Sequence, residues 1–210
     1  MTTLVCTATA LEASLLAERL AGVSSVRMIE MGVGPVNAAH AVTLAIAASK
    51  PQAILVCGVG GAYPSSGLRV GDVACAEREI YGDLGADSPA GFLDMKALAF
   101  PVVQGSSGSL FNELPMQLFP AARRLPFVTV STCTGTSAGA RAIESRTRGA
   151  VENMEGAAVA HVAHLHGVPV GEVRGISNLV TDRDTSSWRL KDAAEAAQRT
   201  LLDWLSKELR

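Results

Sequence analysis

The run AILVCGVG at residues 53–60 constrains the fold more than any other part of the sequence. It has the length of a strand, is apolar throughout and ends in glycines, without the alternation of polar and apolar residues that a half-exposed strand shows. Such a run predicts a central strand that is covered on both faces of its sheet. It therefore favours an α/β fold, in which helices cover the two faces.

Other segments repeat the alternation of strand-like and helical patterns. Further strands are predicted at residues 4–9, 25–32, 71–80, 126–133 and 168–177, and helices near 11–21, over 35–49, from about 154, and over 190–209. The segment 35–49 opens with Pro35 and is almost wholly apolar, which predicts a buried helix. In the last helix, the apolar side is predicted to consist of Leu201, Leu202, Leu205 and Leu209.

The stretch from 82 to 124 is rich in Gly, Ser and Pro. We expect it to form long active-site loops with short helices, because extended loops in a compact domain are usually functional. The sequence has no internal repeat and no break in composition that would mark a linker. We therefore expect one domain over residues 1–210, with three layers and a mixed central sheet flanked by helices.

Composition excludes several classes of function. The formal net charge of −2 and the absence of a basic block give no electrostatic reason to bind nucleic acid. No apolar stretch reaches the ~20 residues that cross a bilayer, and the N-terminus has no basic region before its apolar run. The four cysteines, Cys6, Cys57, Cys75 and Cys133, lie in or beside strand-like runs, which indicates buried, reduced thiols. We expect a cytoplasmic protein with no membrane partner.

Two kinds of motif invite a cofactor or metal, and neither is convincing. The turns GVGPVNAAH (32–40) and GVGGAY (58–63) lack the third glycine of a dinucleotide-binding loop. Tight turns where the backbone passes close to another group are the favoured interpretation, and glycine turns at the carboxyl ends of central strands are where α/β sheets bind ligands. His161, His164 and His166 have no acidic or thiol partner within a helical turn, so structural histidines are favoured over a metal site. We expect no cofactor and no metal.

Three polar residues occur at comparable places in the predicted fold. Glu12 and Asn178 follow predicted strands, and Glu155 begins a helix of small residues. Each has an ordinary explanation, as a first-turn carboxylate or a turn-forming amide. Ligands in α/β sheets bind at the carboxyl ends of the strands. The three residues, with Val59 and Gly60 at the end of the central strand, are therefore candidates for one site.

The segments ATALEASLL, CGVGGAYPSSGLRVGDV, NMEGAAVAHVA and VRGISN together resemble the nucleoside phosphorylase and nucleosidase superfamily. The most similar branch is that of methylthioadenosine/S-adenosylhomocysteine nucleosidases and the futalosine hydrolases of menaquinone biosynthesis. The resemblance runs from about residue 4 to 205 and is weak over 82–124. It implies a nucleoside phosphorylase-like fold without cofactors, and a homodimer or higher homo-oligomer.

The resemblance also implies roles for individual residues. Met154 would pack on the ribose, and Glu155 would accept hydrogen bonds from its 2′- and 3′-hydroxyl groups. Glu12 would be the general base that deprotonates the attacking water. Water is favoured over phosphate because ATALEAS and STCTGTSAG lack the arginines that phosphorylases of this superfamily carry. Glu152 is interpreted only as a charge near the start of the helix.

The base is expected to be a 6-oxopurine. Adenine-specific members carry an aspartate where this sequence has Asn178, whose amide can donate to the 6-oxo group or the adjacent ring nitrogen. Asn178 is thus a second candidate catalytic residue, and futalosine, which releases hypoxanthine, is the favoured substrate. The alternatives are a methylthioadenosine-type nucleosidase, a 6-oxopurine nucleoside phosphorylase and, more remotely, a non-catalytic nucleobase-binding protein.

Two details of substrate binding complete the expectations. The sequence lacks the phenylalanine that stacks on the base in adenine nucleosidases, so Tyr63 or Phe92 is a candidate for that position. The 5′ side of futalosine carries an aryl carboxylate, which a guanidinium group and an indole ring would suit. Trp188 and Arg189 are the candidates, in a loop that also holds Arg183; ordinary solvated ion pairing of Arg183 with Asp182 or Asp184 is the alternative.

Overall fold

A computed structural model describes residues 2–105, 108–118 and 123–208. The strands are β1 (Thr3–Thr7), β2 (Val26–Glu30), β3 (Ala53–Ala62), β4 (Val73–Tyr81), β5 (Gly85–Ser88), β6 (Gly91–Asp94), β7 (Val103–Gly105), β8 (Gly108–Leu110), β9 (Glu113–Pro115), β10 (Arg123–Thr129), β11 (Val151–Asn153) and β12 (Val170–Leu179). The helices are α1 (Ala10–Arg19), α2 (Pro35–Ser49), α3 (Ser137–Thr147), α4 (Gly156–His166) and α5 (Leu190–Glu208).

The central sheet is mixed and has eight strands in the order β11-β10-β4-β12-β3-β1-β2, with β9 on β4. The strands β2, β1, β3 and β12 run parallel, and β4 runs antiparallel to β12. Because β11 pairs with both β10 and β3, the strands from β3 to β11 close on themselves. The closure brings the end of β11 to the edge of the sheet where β1, β3 and β12 end.

Helices cover the two faces of this sheet, as the central apolar run predicts. On one face α1 and α5 pack together, and Leu16, Leu201 and Leu205 are buried against β3 and β12. On the other face α2 and α4 pack together, with Ala38 and Val42 in the core. The predicted α/β fold with a mixed sheet flanked by helices is confirmed. Leu202 is half-buried, and Leu209 lies outside the described residues.

Helix α2 is less buried than its apolar sequence predicts. Val36 is 81 % exposed and Leu44 is 57 % exposed, whereas the residues facing α4 are buried. The prediction of a buried helix therefore holds for one side of α2 only, because within the described residues Val36 and Leu44 on its other side are left exposed.

The prediction for residues 82–124 is wrong in its element types. The described part of this stretch contains two hairpins, β5–β6 and β7–β8, and strand β9, and none of the predicted short helices. The short strands of each hairpin pair mainly with each other, so their patterns are too brief to be seen in the sequence. Two elements were not predicted at all, α3 and β11.

The cysteines divide into two groups. Cys6, Cys57 and Cys75 are buried in the sheet, as expected, but Cys133 is exposed in the loop after β10. Among the described helices, none combines the length and apolarity needed to cross a bilayer.

Candidate active site

A cleft of about 430 Å³ opens where β1, β3 and β12 end and α4 begins. Its walls include most of the predicted site residues: Glu12, Val59, Gly60, Met154, Glu155, Asn178 and Trp188. A second cavity, of about 610 Å³, lies between the β5–β8 hairpins and α3. None of the described residues between 82 and 124 lines the cleft, so the described part of this stretch does not supply active-site loops within one chain.

Glu12 lies in the first turn of α1 and is buried, with both carboxylate oxygens held by donors. Oε2 accepts hydrogen bonds from the backbone N–H and the hydroxyl of Thr9, each at 3.0 Å. Oε1 accepts one from the backbone N–H of Val59 at 2.9 Å. The ordinary interpretation as a helix-start carboxylate and the interpretation as a cleft residue are therefore both correct. The donors leave Glu12 a fixed acceptor at the cleft wall.

Glu155 stands at the N-cap of α4 and is also buried. Its Oε1 accepts a hydrogen bond from the backbone N–H of Gly34 at 3.0 Å, and its Oε2 accepts one from Arg174 at 3.3 Å. Its own backbone N–H donates to Oδ1 of Asn153 at 3.0 Å. The glycine turn at residues 32–34 thus contacts a candidate ligand-binding carboxylate, which agrees with the close-approach interpretation of that turn.

Arg174 connects the two carboxylates from beneath the cleft. Its side chain is buried and lies 3.3 Å from Glu155, 3.9 Å from Glu12 and 2.7 Å from Glu172. Burial lowers the pKa of Arg174, but Glu172, Glu155 and Glu12 outweigh this effect and raise the pKa above its usual value. A Cβ at Gly58 would lie 2.5 Å from Glu12 Oε1 and 2.7 Å from Arg174 Nη1, so only glycine lets them meet here.

Asn178 is half-buried at the end of β12 and is oriented by its neighbours. The hydroxyl of Ser177 donates to Oδ1 at 2.7 Å, and Nδ2 donates to the carbonyl of Leu179 at 3.1 Å. An amide nitrogen carries two hydrogens, so one N–H of Asn178 has no partner among these contacts. This group can donate to a ligand in the cleft.

Glu152 lines the cleft and was interpreted from the sequence only as a helix-start charge. It lies on β11, not on a helix, and is buried. Its carboxylate accepts hydrogen bonds from the Tyr63 hydroxyl at 2.7 Å and from the backbone N–H of Thr134 at 2.8 Å. Glu152 therefore holds the loop after β10 against the cleft.

Neither aromatic residue expected to stack on a base lies in the cleft. Tyr63 is fully buried, and burial followed by the charge of Glu152 raises its pKa. Phe92 lines the second cavity, where the Arg146 guanidinium lies 4.5 Å from its ring centroid. Both expectations are wrong, since each ring packs into the body of the protein instead.

The loop after β12 separates the two residues expected at the 5′ end. Trp188 lines the cleft and is half-buried. Arg189 is 70 % exposed, lies 3.7 Å from Asp192 and does not line the cleft. The expected role of Arg189 is therefore not supported, because its side chain is exposed and lies beside Asp192 in the first turn of α5. Arg183 does not line the cleft either, but its guanidinium lies 4.8 Å from the ring centroid of Trp188, which does.

The histidines make local contacts. His161 contacts the carbonyl of Val102 at 2.7 Å and Tyr81 at 3.2 Å, and burial lowers its pKa. His164 contacts the carbonyl of Pro115 at 2.9 Å. Within the described residues, no group of three or more His, Cys, Asp or Glu side chains is placed to bind a metal ion.

Sequence reasoning missed Arg174, Asn153 and Glu152. A signal for Arg174 was present, since VPVGEVRGIS places Glu172 and Arg174 in a run otherwise apolar enough for a buried strand. Charged side chains are almost never fully buried unless they are paired, so both required partners. The identity of those partners depends on how the strands assemble.

The chain resembles known proteins both in sequence and in fold. A family model described as the phosphorylase superfamily matches residues 15–206. The futalosine hydrolase of Thermus thermophilus is 32 % identical over 189 residues, which cover 86 % of this chain and 81 % of that protein. The futalosine hydrolase of Streptomyces coelicolor is 34 % identical over 181 residues, covering 80 % and 74 %. The 5′-methylthioadenosine/S-adenosylhomocysteine nucleosidase of Neisseria meningitidis, solved with methylthio-immucillin-A, is similar in fold, with a TM-score of 0.82, 19 % identity and coverage of 98 % and 99 %.

Proposed function

The chain belongs to the phosphorylase superfamily, and on that premise we propose that it hydrolyses the N-glycosidic bond of futalosine and releases hypoxanthine. The enzyme is a nucleosidase, and futalosine is the substrate named for the curated relatives that it resembles over most of its length. The observation that carries the proposal is the cleft that brings Glu12, Glu155 and Asn178 together. The hydrolysis of futalosine is a step of menaquinone biosynthesis.

Glu155 binds the ribose and Glu12 activates water. A carboxylate accepts hydrogen bonds only, so Glu155 can take the 2′- and 3′-hydroxyl groups while Met154 packs against the sugar. As the bond to the base breaks, the ribose acquires positive charge, which the nearby carboxylate stabilises in the transition state. Glu12, fixed by Thr9 and Val59, accepts the proton of the attacking water.

The charge of the cleft favours water over phosphate as the nucleophile. Three carboxylates line it, Glu12, Glu152 and Glu155. Among the described lining residues the single cation is Arg174, which is already paired with carboxylates. A phosphate anion would meet this negative charge without a free guanidinium to neutralise it. A water molecule is neutral, so the carboxylates of the cleft do not repel it as they would repel phosphate.

Asn178 recognises the base and assists its departure. Its free N–H donates to the 6-oxo group or the adjacent ring nitrogen of hypoxanthine, which leaves as a hydrogen-bonded anion. Ser177 holds the amide in the orientation that presents this donor. An adenine base would present its amino group at this position, where two donors would face each other at a cost of about 1–3 kcal/mol.

The 5′ substituent of futalosine lies against Trp188, with Arg183 in place of the expected Arg189. An indole suits the aryl ring, and a guanidinium suits the carboxylate. Arg183 is stacked on Trp188 and donates to the thiol of Cys133, a cleft residue, at 3.6 Å. The ion pairs with Asp182 or Asp184 considered from the sequence are not among its contacts here, since those carboxylates accept hydrogen bonds from Ser137 and Ser186.

The same proposal includes a cytoplasmic homodimer. The exposed side of α2, with Val36 and Leu44, continues to Val33 at the cleft, and these apolar side chains are 51–81 % exposed. A second copy covering this face would bury them and come close to the ribose end of the site. Size-exclusion chromatography with light scattering tests this, and a monomer at micromolar concentration would contradict it.

Product analysis tests the activity and the choice of base together. The purified protein is incubated with futalosine, inosine or methylthioadenosine, each with and without phosphate, and the free base is quantified by chromatography. We expect hypoxanthine from futalosine at a rate that phosphate does not change, and little adenine from methylthioadenosine. Comparable release of adenine would favour a methylthioadenosine/S-adenosylhomocysteine-type nucleosidase instead, since one such relative from Actinobacillus succinogenes is 32 % identical.

A further inference from the structure

Two glutamates that have no role in the mechanism above lie beneath the cleft. Glu79 on β4 and Glu172 on β12 are both 0 % exposed. A buried carboxylate is retained in a fold only when charge partners and hydrogen bonds compensate for its lost hydration. Glu79 and Glu172 must therefore have such partners within the fold.

The two carboxyl groups face each other across Gly156, the first residue of α4. A Cβ at Gly156 would lie 2.3 Å from Glu79 Oε1 and 2.3 Å from Glu172 Oε2. The absence of a side chain at this residue is what allows the groups to meet. Glu172 Oε2 is buried and has no hydrogen-bond donor, whereas Glu172 Oε1 accepts one from Arg174 Nε at 2.7 Å.

A proton on Glu79 supplies the missing donor. Burial, followed by the negative charge of Glu172, raises the pKa of Glu79 well above its ordinary value. A protonated Oε1 can donate to Glu172 while it still accepts a hydrogen bond from Asn153 Nδ2, which lies at 2.6 Å. The other oxygen of Glu79 accepts one from the Thr129 hydroxyl at 2.7 Å. With one proton, every oxygen of the pair has a partner.

We propose that Glu79 and Glu172 form a buried carboxyl pair that shares one proton and positions the two catalytic carboxylates of the cleft. Both are positioning residues, because neither touches the cleft. The shared proton leaves the pair with a single negative charge, so that the buried cluster around Arg174 carries three negative charges instead of four. With both groups ionised, the buried cluster would hold four carboxylates, Glu12, Glu155, Glu79 and Glu172, around one guanidinium.

Two sets of contacts connect the Glu79–Glu172 pair to the cleft. Through Glu172 it fixes Arg174, which in turn contacts Glu155 at 3.3 Å and the carbonyl of Val59 at 3.1 Å. Through Glu79 it fixes Asn153, whose Oδ1 accepts hydrogen bonds from the backbone N–H groups of Glu155 at 3.0 Å and Gly156 at 2.8 Å. The side chain and the backbone of Glu155 therefore depend on the same pair.

Other ionisable residues lie near the Glu79–Glu172 pair. Arg174, Tyr81, Cys57, Glu155 and Glu12 are among the ionisable residues that interact with the pair directly or through Arg174. Burial raises the pKa of both Tyr81 and Cys57, and nearby glutamates raise each further, so neither ionises near neutral pH. His161, which contacts Tyr81 at 3.2 Å, is the nearby side chain with an ordinary pKa closest to neutral, and burial lowers that pKa.

Infrared difference spectroscopy tests the shared proton without any assay of activity. The wild-type chain is compared at neutral pH with Glu79→Gln, with Glu172→Gln, and with the matched control Glu113→Gln, an exposed carboxylate on the adjacent strand β9. We expect the carbonyl stretch of one protonated carboxyl group in the wild type and the control. Either buried substitution removes the band, since the amide then replaces the proton as donor and the remaining glutamate ionises. No such band in the wild type would overturn the proposal.

A kinetic experiment tests the positioning role and rests on the proposed nucleosidase activity. In Glu172→Gln, we expect kcat/KM for futalosine to fall by roughly 10- to 100-fold, because small misplacements of catalytic groups have effects of that size. The double variant Glu79→Gln/Glu172→Gln removes the negative charge of the pair beside Arg174. The positive charge of Arg174 then acts more strongly on the carboxylates of the cleft. The acid limb of the pH profile should then move to lower pH by about one unit.

The infrared and kinetic results together distinguish failure of the positioning role, of the shared proton and of the proposed nucleosidase activity. A uniform loss of activity with an unmoved acid limb would mean that the pair is merely structural, and unchanged kcat/KM would refute positioning altogether. If the double variant does not fold, the infrared comparison still decides whether the proton is shared. If the wild type cleaves no nucleoside but shows the band, the proposed function fails and the carboxyl pair stands.

Discussion

Replacing Glu12 by glutamine removes the proposed general base while keeping the shape of the side chain. An amide cannot accept a proton from water, and general-base catalysis contributes about 10²–10⁴-fold in rate. We expect kcat to fall by that factor with KM nearly unchanged, because Glu155 and Asn178 still bind the ribose and the base. The substitution should therefore slow cleavage of the glycosidic bond and leave substrate binding nearly unchanged.

The hydrogen bonds of Glu12 also predict a loss of stability. Its oxygens accept from Thr9 N–H, Thr9 Oγ and Val59 N–H. The amide nitrogen of glutamine must face one of the two backbone donors, since only the hydroxyl of Thr9 can reverse its role. One buried N–H then lacks an acceptor, at a cost of about 1–3 kcal/mol. For a chain of this size that lowers Tm by roughly 2–4 °C per kcal/mol.

Steady-state release of hypoxanthine from futalosine measures the first effect, and thermal unfolding measures the second. Glu18→Gln is the matched control, because Glu18 lies on the same helix with its side chain 72 % exposed. The control should retain both activity and Tm. Normal turnover in Glu12→Gln, at any Tm, would refute the assignment of the base; lost turnover with an unchanged Tm would refute only the account of its hydrogen bonds.

Four further predictions concern other parts of the site. Glu155→Gln should lower kcat/KM by about 10²-fold on a ribonucleoside and by less on its 2′-deoxy analogue, as judged by base release, because the altered oxygen no longer meets the 2′-hydroxyl. Asn178→Asp should reduce cleavage of 6-oxopurine nucleosides by about 10-fold or more, since a carboxylate repels the oxo group. Trp188→Ala should raise KM for futalosine more than for inosine, whereas Arg189→Ala should alter neither. In thermal melts, the wild type should lose stability relative to Glu79→Gln as pH rises above about 4.5, by up to about 1.4 kcal/mol per pH unit, because the folded state retains a proton that the unfolded chain releases.

Each of these predictions has an opposing result. Equal losses on the two ribose substrates would make Glu155 structural, and unchanged cleavage by Asn178→Asp would remove it from base recognition. A selective effect of Arg189→Ala on futalosine would restore that arginine to the 5′ site. Parallel pH–stability curves for the wild type and Glu79→Gln would mean that the Glu79–Glu172 pair holds no proton in the folded protein.

The sequence predicts the location of the cleft because position relative to strand ends is a local property. Glu12, Asn178 and Glu155 were identified as following strands or starting a helix, and the parallel strands bring those ends to one edge. The central apolar run likewise predicts helices on both faces. Local patterns were sufficient for these features.

Other features depend on assembly and could not be read locally. Arg174 lies within a strand, and its partners Glu12 and Glu155 come from distant parts of the chain. Arg189 and Trp188 are adjacent in sequence and lie between a short turn at Thr185–Ser187 and the start of α5, yet Trp188 lines the cleft and Arg189 does not. In such cases composition indicates which residues are unusual, and only the tertiary structure decides what they contact.

Hydrolysis in water enriched in the heavy oxygen isotope tests the central claim most directly. The chain is incubated with futalosine and phosphate in this solvent, and the sugar product is analysed by mass spectrometry. A nucleosidase of the proposed mechanism releases hypoxanthine together with a free sugar whose anomeric hydroxyl carries the heavy oxygen. A sugar 1-phosphate, or no release of base, would contradict the account.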